Sequence, residues 1–87
     1  MRIRSYKKFA PLTVTWVDIV DDPSWRTVED MFNKSVILVK QPGYFITNKH
    51  CEERGNMLIL ATSLSEDGAG GYVVIPWGCV RRIDYNG

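Results

Sequence analysis

The single histidine, His50, stands beside Cys51 and Glu52. A metal site would need these three to converge on one ion. Adjacent residues in extended or turn backbone point apart, and the sequence offers no second ligand pair at zinc-type spacing. Read as a Cys–His nucleophile pair, they lack a third group to orient the base and an oxyanion hole. They read as exposed loop residues. Carboxylate pairs occur at Asp21-Asp22, Glu52-Glu53 and Glu66-Asp67, all in expected turns where charges are ordinarily solvated. The sequence contains no GxxxxGK[ST], GxGxxG, HExxH or GxSxG motif. Its glycine-rich stretch, SEDGAGG, joins two expected strands instead of opening a helix, so it reads as a hairpin turn and not as a phosphate cradle. Neither an enzyme nor a metal or cofactor site is expected.

Aromatic and cationic side chains give the stronger signal. Trp16, Trp25 and Trp77 are many tryptophans for this length, and Tyr44, Tyr72 and Tyr85 accompany them. One reading packs them into a small core. In the other, Trp25 and Trp77, both in expected turns, stay partly exposed, where such rings anchor interfaces or stack on a base. Arg26 follows Trp25, and Arg81-Arg82 come soon after Trp77, so guanidinium groups that suit phosphate would lie near flat ring faces. Asp18 shares the Trp16 face of its strand, where a carboxylate needs hydrogen-bond partners if buried. The candidate ligand-binding set is therefore Trp25, Arg26, Trp77, Arg81, Arg82, Tyr44 and Asp18, with no catalytic or metal-binding member.

The elements that must position these residues fit one domain spanning 1–87. Eighty-seven residues leave no room for a second core. A domain of this size buries only about 60–65% of its unfolded surface, so a homo-oligomer is expected. Apolar residues at 45% and charged residues at 24% fit a globular chain and argue against disorder. A formal net charge of +1 does not call for nucleic acid. No apolar run approaches the roughly 20 residues that span a bilayer, and the N-terminus lacks the apolar core of a signal peptide. The expected location is the cytoplasm, where Cys51 and Cys79, far apart and outside any CxxC pair, would be free thiols.

Residues 1–8 carry Arg2, Arg4, Lys7 and Lys8 and read as a flexible basic arm or an extra strand. Leu12–Val20 alternates as a strand, with Leu12, Val14, Trp16, Asp18 and Val20 on one face. Asp21-Asp22-Pro23-Ser24 breaks it. Thr27 is a good N-cap and Glu29 and Asp30 suit a first turn, so a short helix is expected over about 27–33. Strands follow at Ser35–Lys40 and Tyr44–Asn48. The Gln41-Pro42-Gly43 between them reads either as a turn or as the bend of one long strand. His50–Asn56 is a polar hairpin loop and Met57–Leu64 pairs back. After the glycine-rich turn, Tyr72–Ile75 forms a strand that Pro76 must end. Trp77-Gly78-Cys79 suits a single tight turn of 3₁₀ type, and Val80–Tyr85 resumes an extended pattern. Strand, 3₁₀ turn and last strand give a mainly β chain. Its expected form is a small Sm-like or SH3-like β-barrel of five or six strands, with the one short helix between the first and second core strands.

The succession VTWVDIVDDPSW, TVEDMF, GYFI, MLILATS and VVIPWGCVRRI resembles small uncharacterised proteins of tailed bacteriophages. The shared pattern is W-x-D, then W-x-[S/T]-x-E, then I-P-x-G-C-V-x-x-I, and it covers Leu12–Tyr85. The resemblance implies a phage-encoded accessory protein acting in the cytoplasm of an infected cell, by countering a host defence or redirecting host machinery. It carries no catalytic residues over. Together with the aromatic–arginine pairs it makes sequestration of a nucleotide-type host signal the leading expectation. An adaptor that inhibits a host enzyme is the alternative. The C-terminal stretch also resembles the second half of Sm-like proteins. Here, however, Ile75-Pro76-Trp77-Gly78 lacks the basic residue that usually precedes the glycine of their RNA pocket, so RNA binding comes third.

Overall fold

The computed structural model describes residues 2–19 and 36–87. Among them, five strands form one antiparallel sheet: β1 (Pro11–Ile19), β2 (Val36–Cys51), β3 (Gly55–Ser65), β4 (Gly68–Pro76) and β5 (Val80–Tyr85). A 3₁₀ turn, Trp77–Cys79, joins the last two. The strand order is β4-β3-β2-β1-β5, so the protein is mainly β. The helix expected over 27–33 lies outside the described residues, as do Trp25 and Arg26. Among the described residues no helix is long and apolar enough to cross a membrane.

Alternation decides which residues fill the core. Directly paired residues share a face, and Leu12 and Val14 of β1 share theirs with Leu58 and Leu60 of β3, Ile75 of β4 and Val80 of β5, all fully buried. Phe45, Ala10 and Trp77 complete this cluster, and Tyr6, Trp16, Val73 and Ile83 pack around it. The opposite, outward face carries Thr13 and Thr15 of β1, Tyr44 of β2 and Tyr72 of β4. Asp18, which sits on the Trp16 side of β1, is exposed beyond the last β1–β5 pair and so needs no buried partner.

Of the two readings of Gln41-Pro42-Gly43, one long bent strand is the one the chain adopts. From Val36 to Gly43, β2 pairs with β1 alone, and its ladder to β3 starts only at Tyr44↔Ala61. Pro42 thus sits on what is locally an edge, where a missing N–H leaves no ladder bond unmade. The register slip falls later, at Ile46, between Phe45↔Leu60 and Thr47↔Ile59. The turn expected over SEDGAGG shrinks to Glu66-Asp67, and its glycines join β4. Gly71 holds φ +67, and a Cβ there would overlap the Thr62 hydroxyl, so that position admits only glycine without strain.

The sheet must curl. Laid flat, four spacings of about 4.8 Å would separate the edge strands β4 and β5 by about 19 Å. The 3₁₀ turn from Pro76 to Val80 advances only about 8 Å. The edges approach but do not pair with each other, so the sheet is bent and open. Residues 2–10 belong to no strand and lie across the sheet. The Tyr6 ring meets Phe45 edge-on at 5.7 Å. The Phe9 N–H donates to the Phe45 carbonyl at 2.6 Å, and the Phe45 N–H to the Ala10 carbonyl at 2.9 Å. Asn48 Nδ2 donates to the Arg4 carbonyl at 2.9 Å. The basic segment is a docked strap, neither a sixth strand nor a free arm.

Candidate functional site

The notch where β2 parts from β3 opens into a groove of about 270 Å³. Two hairpin arms diverge there: β2 continues on β1, while β3 continues from Thr62 to Ser65 on β4. The bend residues Gln41, Pro42, Gly43 and Tyr44 form one wall; Pro11, Leu12, Thr62 and Asn86 complete the lining. Gly43 lets the strands cross closely, since a Cβ there would stand 3.0 Å from the Ala61 carbonyl oxygen and 3.1 Å from Leu60 Cβ. Asn86, just past β5, is fixed twice. Its backbone N–H donates to the Pro11 carbonyl at 2.9 Å, and its Nδ2 to Thr13 Oγ1 at 2.7 Å. Among the described residues, no charged side chain lines the groove.

The cations lie beyond it on the outward face, which Pro11, Pro42 and Tyr44 of the lining share, whereas Leu12, Gln41 and Gly43 belong to the opposite face of their strands. Strand register sets the rows: Pro11 beside Tyr44, then Asp84–Thr13–Pro42, then Arg82–Thr15–Lys40. Successive rows are about 6.6 Å apart, so Lys40 stands about 13 Å of strand from Tyr44. Arg82 and Lys40 flank Thr15, one strand to each side, about 10 Å from each other. Arg82 Nε donates to Asp84 Oδ1 at 3.0 Å in an exposed pair, a contact that contributes little stability and leaves the outer guanidinium nitrogens for a ligand.

Of the seven residues expected to bind ligand, the described structure brings only Tyr44 to the groove, with Arg82 on the adjoining face. Trp77 is a correction: it is 3% exposed, belongs to the core, and its indole N–H donates to Asn48 Oδ1 at 2.8 Å. The turn that crosses between the sheet edges drives its first side chain inward, so no ring face is left for stacking. Arg81 occupies the bulged position of β5, opposite the register shift at Thr15/Trp16. It folds back on the turn, its Nη1 donating to the Gly78 carbonyl at 2.9 Å. Asp18 lies six residues along β1 from Leu12, about 20 Å from the groove. Trp25 and Arg26 fall outside the described residues. Thr62, Asn86 and Pro11 drew no attention in the sequence, because nothing local marks them. Only the proline–glycine pair inside a strand pattern signalled the bend.

His50 and Cys51 end β2 at the far tip of the β2–β3 hairpin. As consecutive strand residues they point to opposite faces, and His50 Nδ1 pairs instead with Asn56 Oδ1 at 3.1 Å. Hydrogen bonds from the backbone N–H of Arg54, then of Glu53, lower the Cys51 thiol from its ordinary value. Desolvation opposes them, and the charges of Arg54 and Lys49 assist less strongly. Both cysteines are free thiols.

No family model matches the chain, and neither does any curated protein or any solved structure.

Proposed function

We propose that the chain is a non-enzymatic binding protein whose groove receives one ring system of a small nucleotide-like ligand. Its phosphates extend along the outward face to Arg82 and Lys40. The observation that carries this reading is the register. It sets Tyr44 and Pro42, one wall of the groove, on the same face as the Arg82–Thr15–Lys40 row, with Tyr44 two strand rows away. A volume of about 270 Å³ lies just under the range for drug-sized ligands, which suits one base better than a dinucleotide. The strand order, with a 3₁₀ turn linking the two edges, supports an SH3-like or Sm-like small barrel left partly open. The edges β4 and β5, unpaired among the described residues, support a homo-oligomer. In the setting implied by the phage resemblance, the protein sequesters a host nucleotide signal in the cytoplasm of the infected cell.

Native mass spectrometry of freshly purified protein, followed by nucleotide titration, tests this. A defined oligomer carrying one nucleotide mass per site, or saturable binding weakened by Tyr44→Ala and Arg82→Ala, is the expected result. A clean monomer that binds no nucleotide refutes it. A second reading, a protein–protein adaptor, is favoured by Tyr72 and Val74, which stand 62% and 52% exposed on the outward face of an edge strand. That patch is of the kind interfaces use. Stoichiometric recovery of one host protein, lost with Tyr72→Ser, would select it.

A further inference from the structure

We infer that the outer edge of β4 pairs antiparallel with the same edge of a second copy of this chain, about a twofold axis at Val73. The inference rests on the homo-oligomer part of the reading above and not on its nucleotide part. The two edges of the sheet are built differently. β5, VRRIDY, is short, carries Arg81, Arg82 and Asp84, and bulges opposite Thr15/Trp16. Charge, shortness and a bulge are the means by which an edge avoids pairing. β4, GAGGYVVIP, has no charged residue. Its Ile75 is fully buried and its Val73 packs against the core, so this edge is already held in place. Its outward side chains, Tyr72 and Val74, stand exposed.

Charge selects the partner and the direction. The exposed Glu66-Asp67 turn lies at one end of β4. Beyond the other end Arg81 folds over the 3₁₀ turn, its Nη1 donating to the Gly78 carbonyl at 2.9 Å. Antiparallel pairing carries the acidic turn of each copy past the other's Pro76 towards that guanidinium, whereas parallel pairing would set acid against acid. The edge therefore fits its own reverse. With Val73 facing its counterpart, Tyr72 of each copy stands opposite Val74 of the other, an aromatic–β-branched pair made twice. Gly70 and Gly71 then lie where Pro76 and Ile75 of the other copy arrive, and a strand glycine suits such a close backbone approach. A dimer closed in this way covers the Tyr72–Val74 patch on which the adaptor reading relies.

An edge contact is small, below about 1,200 Å² in total, so the dimer is expected to dissociate at about 1–100 μM. Sedimentation equilibrium of the full chain across that range should show monomer and dimer only. Val74→Lys and Tyr72→Glu, both on the outward face, should each weaken dimerisation about tenfold, because every change counts twice across the axis. Circular dichroism should show the fold retained in both. The two changes combined in one chain should restore dimerisation to within about threefold of the parent, since the new carboxylate of each copy then opposes the new ammonium of the other. A monomer throughout, assemblies larger than a dimer, or a double variant no tighter than the single ones would overturn the inference. A monomer that still binds nucleotide would overturn this inference alone and leave the nucleotide reading standing.

Discussion

Replacing Asn48 by alanine probes how the curled sheet is held at the end where the strap crosses. Asn48 pairs with Leu58 on the core face of β2. Its Oδ1 receives the Trp77 indole N–H at 2.8 Å, and its Nδ2 donates to the Arg4 carbonyl at 2.9 Å. The two bonds are unequal in consequence. Arg4 is exposed, so its carbonyl regains a water and costs at most about 0.5 kcal/mol. Trp77 is almost fully buried, so its N–H is left without a partner, at about 1–3 kcal/mol. The expected total is about 2–3 kcal/mol, or about 10–20 °C in Tm for a domain of this size. Urea unfolding followed by circular dichroism measures it, and a double-mutant cycle with Trp77→Phe isolates the indole contribution. In the Trp77→Phe background, Asn48→Ala should cost about 1–2 kcal/mol less than in the parent chain. A coupling below about 0.5 kcal/mol would refute the claim that this bond ties the 3₁₀ turn to β2.

Two further outcomes follow from local geometry. Gly71→Ala should destabilise by about 2–3 kcal/mol, about 1–2 for a left-handed residue with a side chain and about 0.5–1.5 for displacing the Thr62 hydroxyl. Gly55→Ala, at φ +76 with nothing within 4 Å of a new Cβ, should incur only the first part; equal costs in denaturant unfolding would contradict the steric account. Alkylation of Cys51 by iodoacetamide, followed against pH by mass spectrometry, should rise at lower pH in the folded chain than in the unfolded one, because backbone N–H groups of Arg54 and Glu53 favour the thiolate. The linked stability is fully present above the unfolded thiol's pKa and is lost as pH falls through the lower, folded value. Identical folded and unfolded profiles would show that those N–H groups do not reach the sulfur.

Much of the fold was legible because the information was local. The alternation in Leu12–Thr15 sorted β1 into two faces, since successive strand residues must point to opposite sides, but which face is buried came from the paired strands. Pro76 ended β4, and Trp77–Cys79 made the 3₁₀ turn, for reasons of backbone chemistry that need no partner. The last strand, Val80–Tyr85, appears with the bounds its pattern suggested. The choice between a turn and a bent strand at Pro42-Gly43 was not local. It depended on β2 having β1 on one flank there and, among the described residues, no strand on the other.

The candidate site was far less legible. Trp77 and the Arg81-Arg82 pair look alike in a sequence whether they face solvent or the core. The curl of the sheet sent the Trp77 ring inward, turned Arg81 back on its own turn, and left Arg82 on the outward face. The groove draws on Pro11, the bend of β2, Thr62 and Asn86, residues up to 75 positions apart in the chain. By itself the sequence determined most of the strands, the two faces of each and the single 3₁₀ turn, because propensity and side-chain alternation act over a few residues. Tertiary structure alone decided where two hairpin arms part, which residues line the notch, and which cations share the face of Tyr44. Those are properties of register and curvature, and they exist only once distant strands have paired.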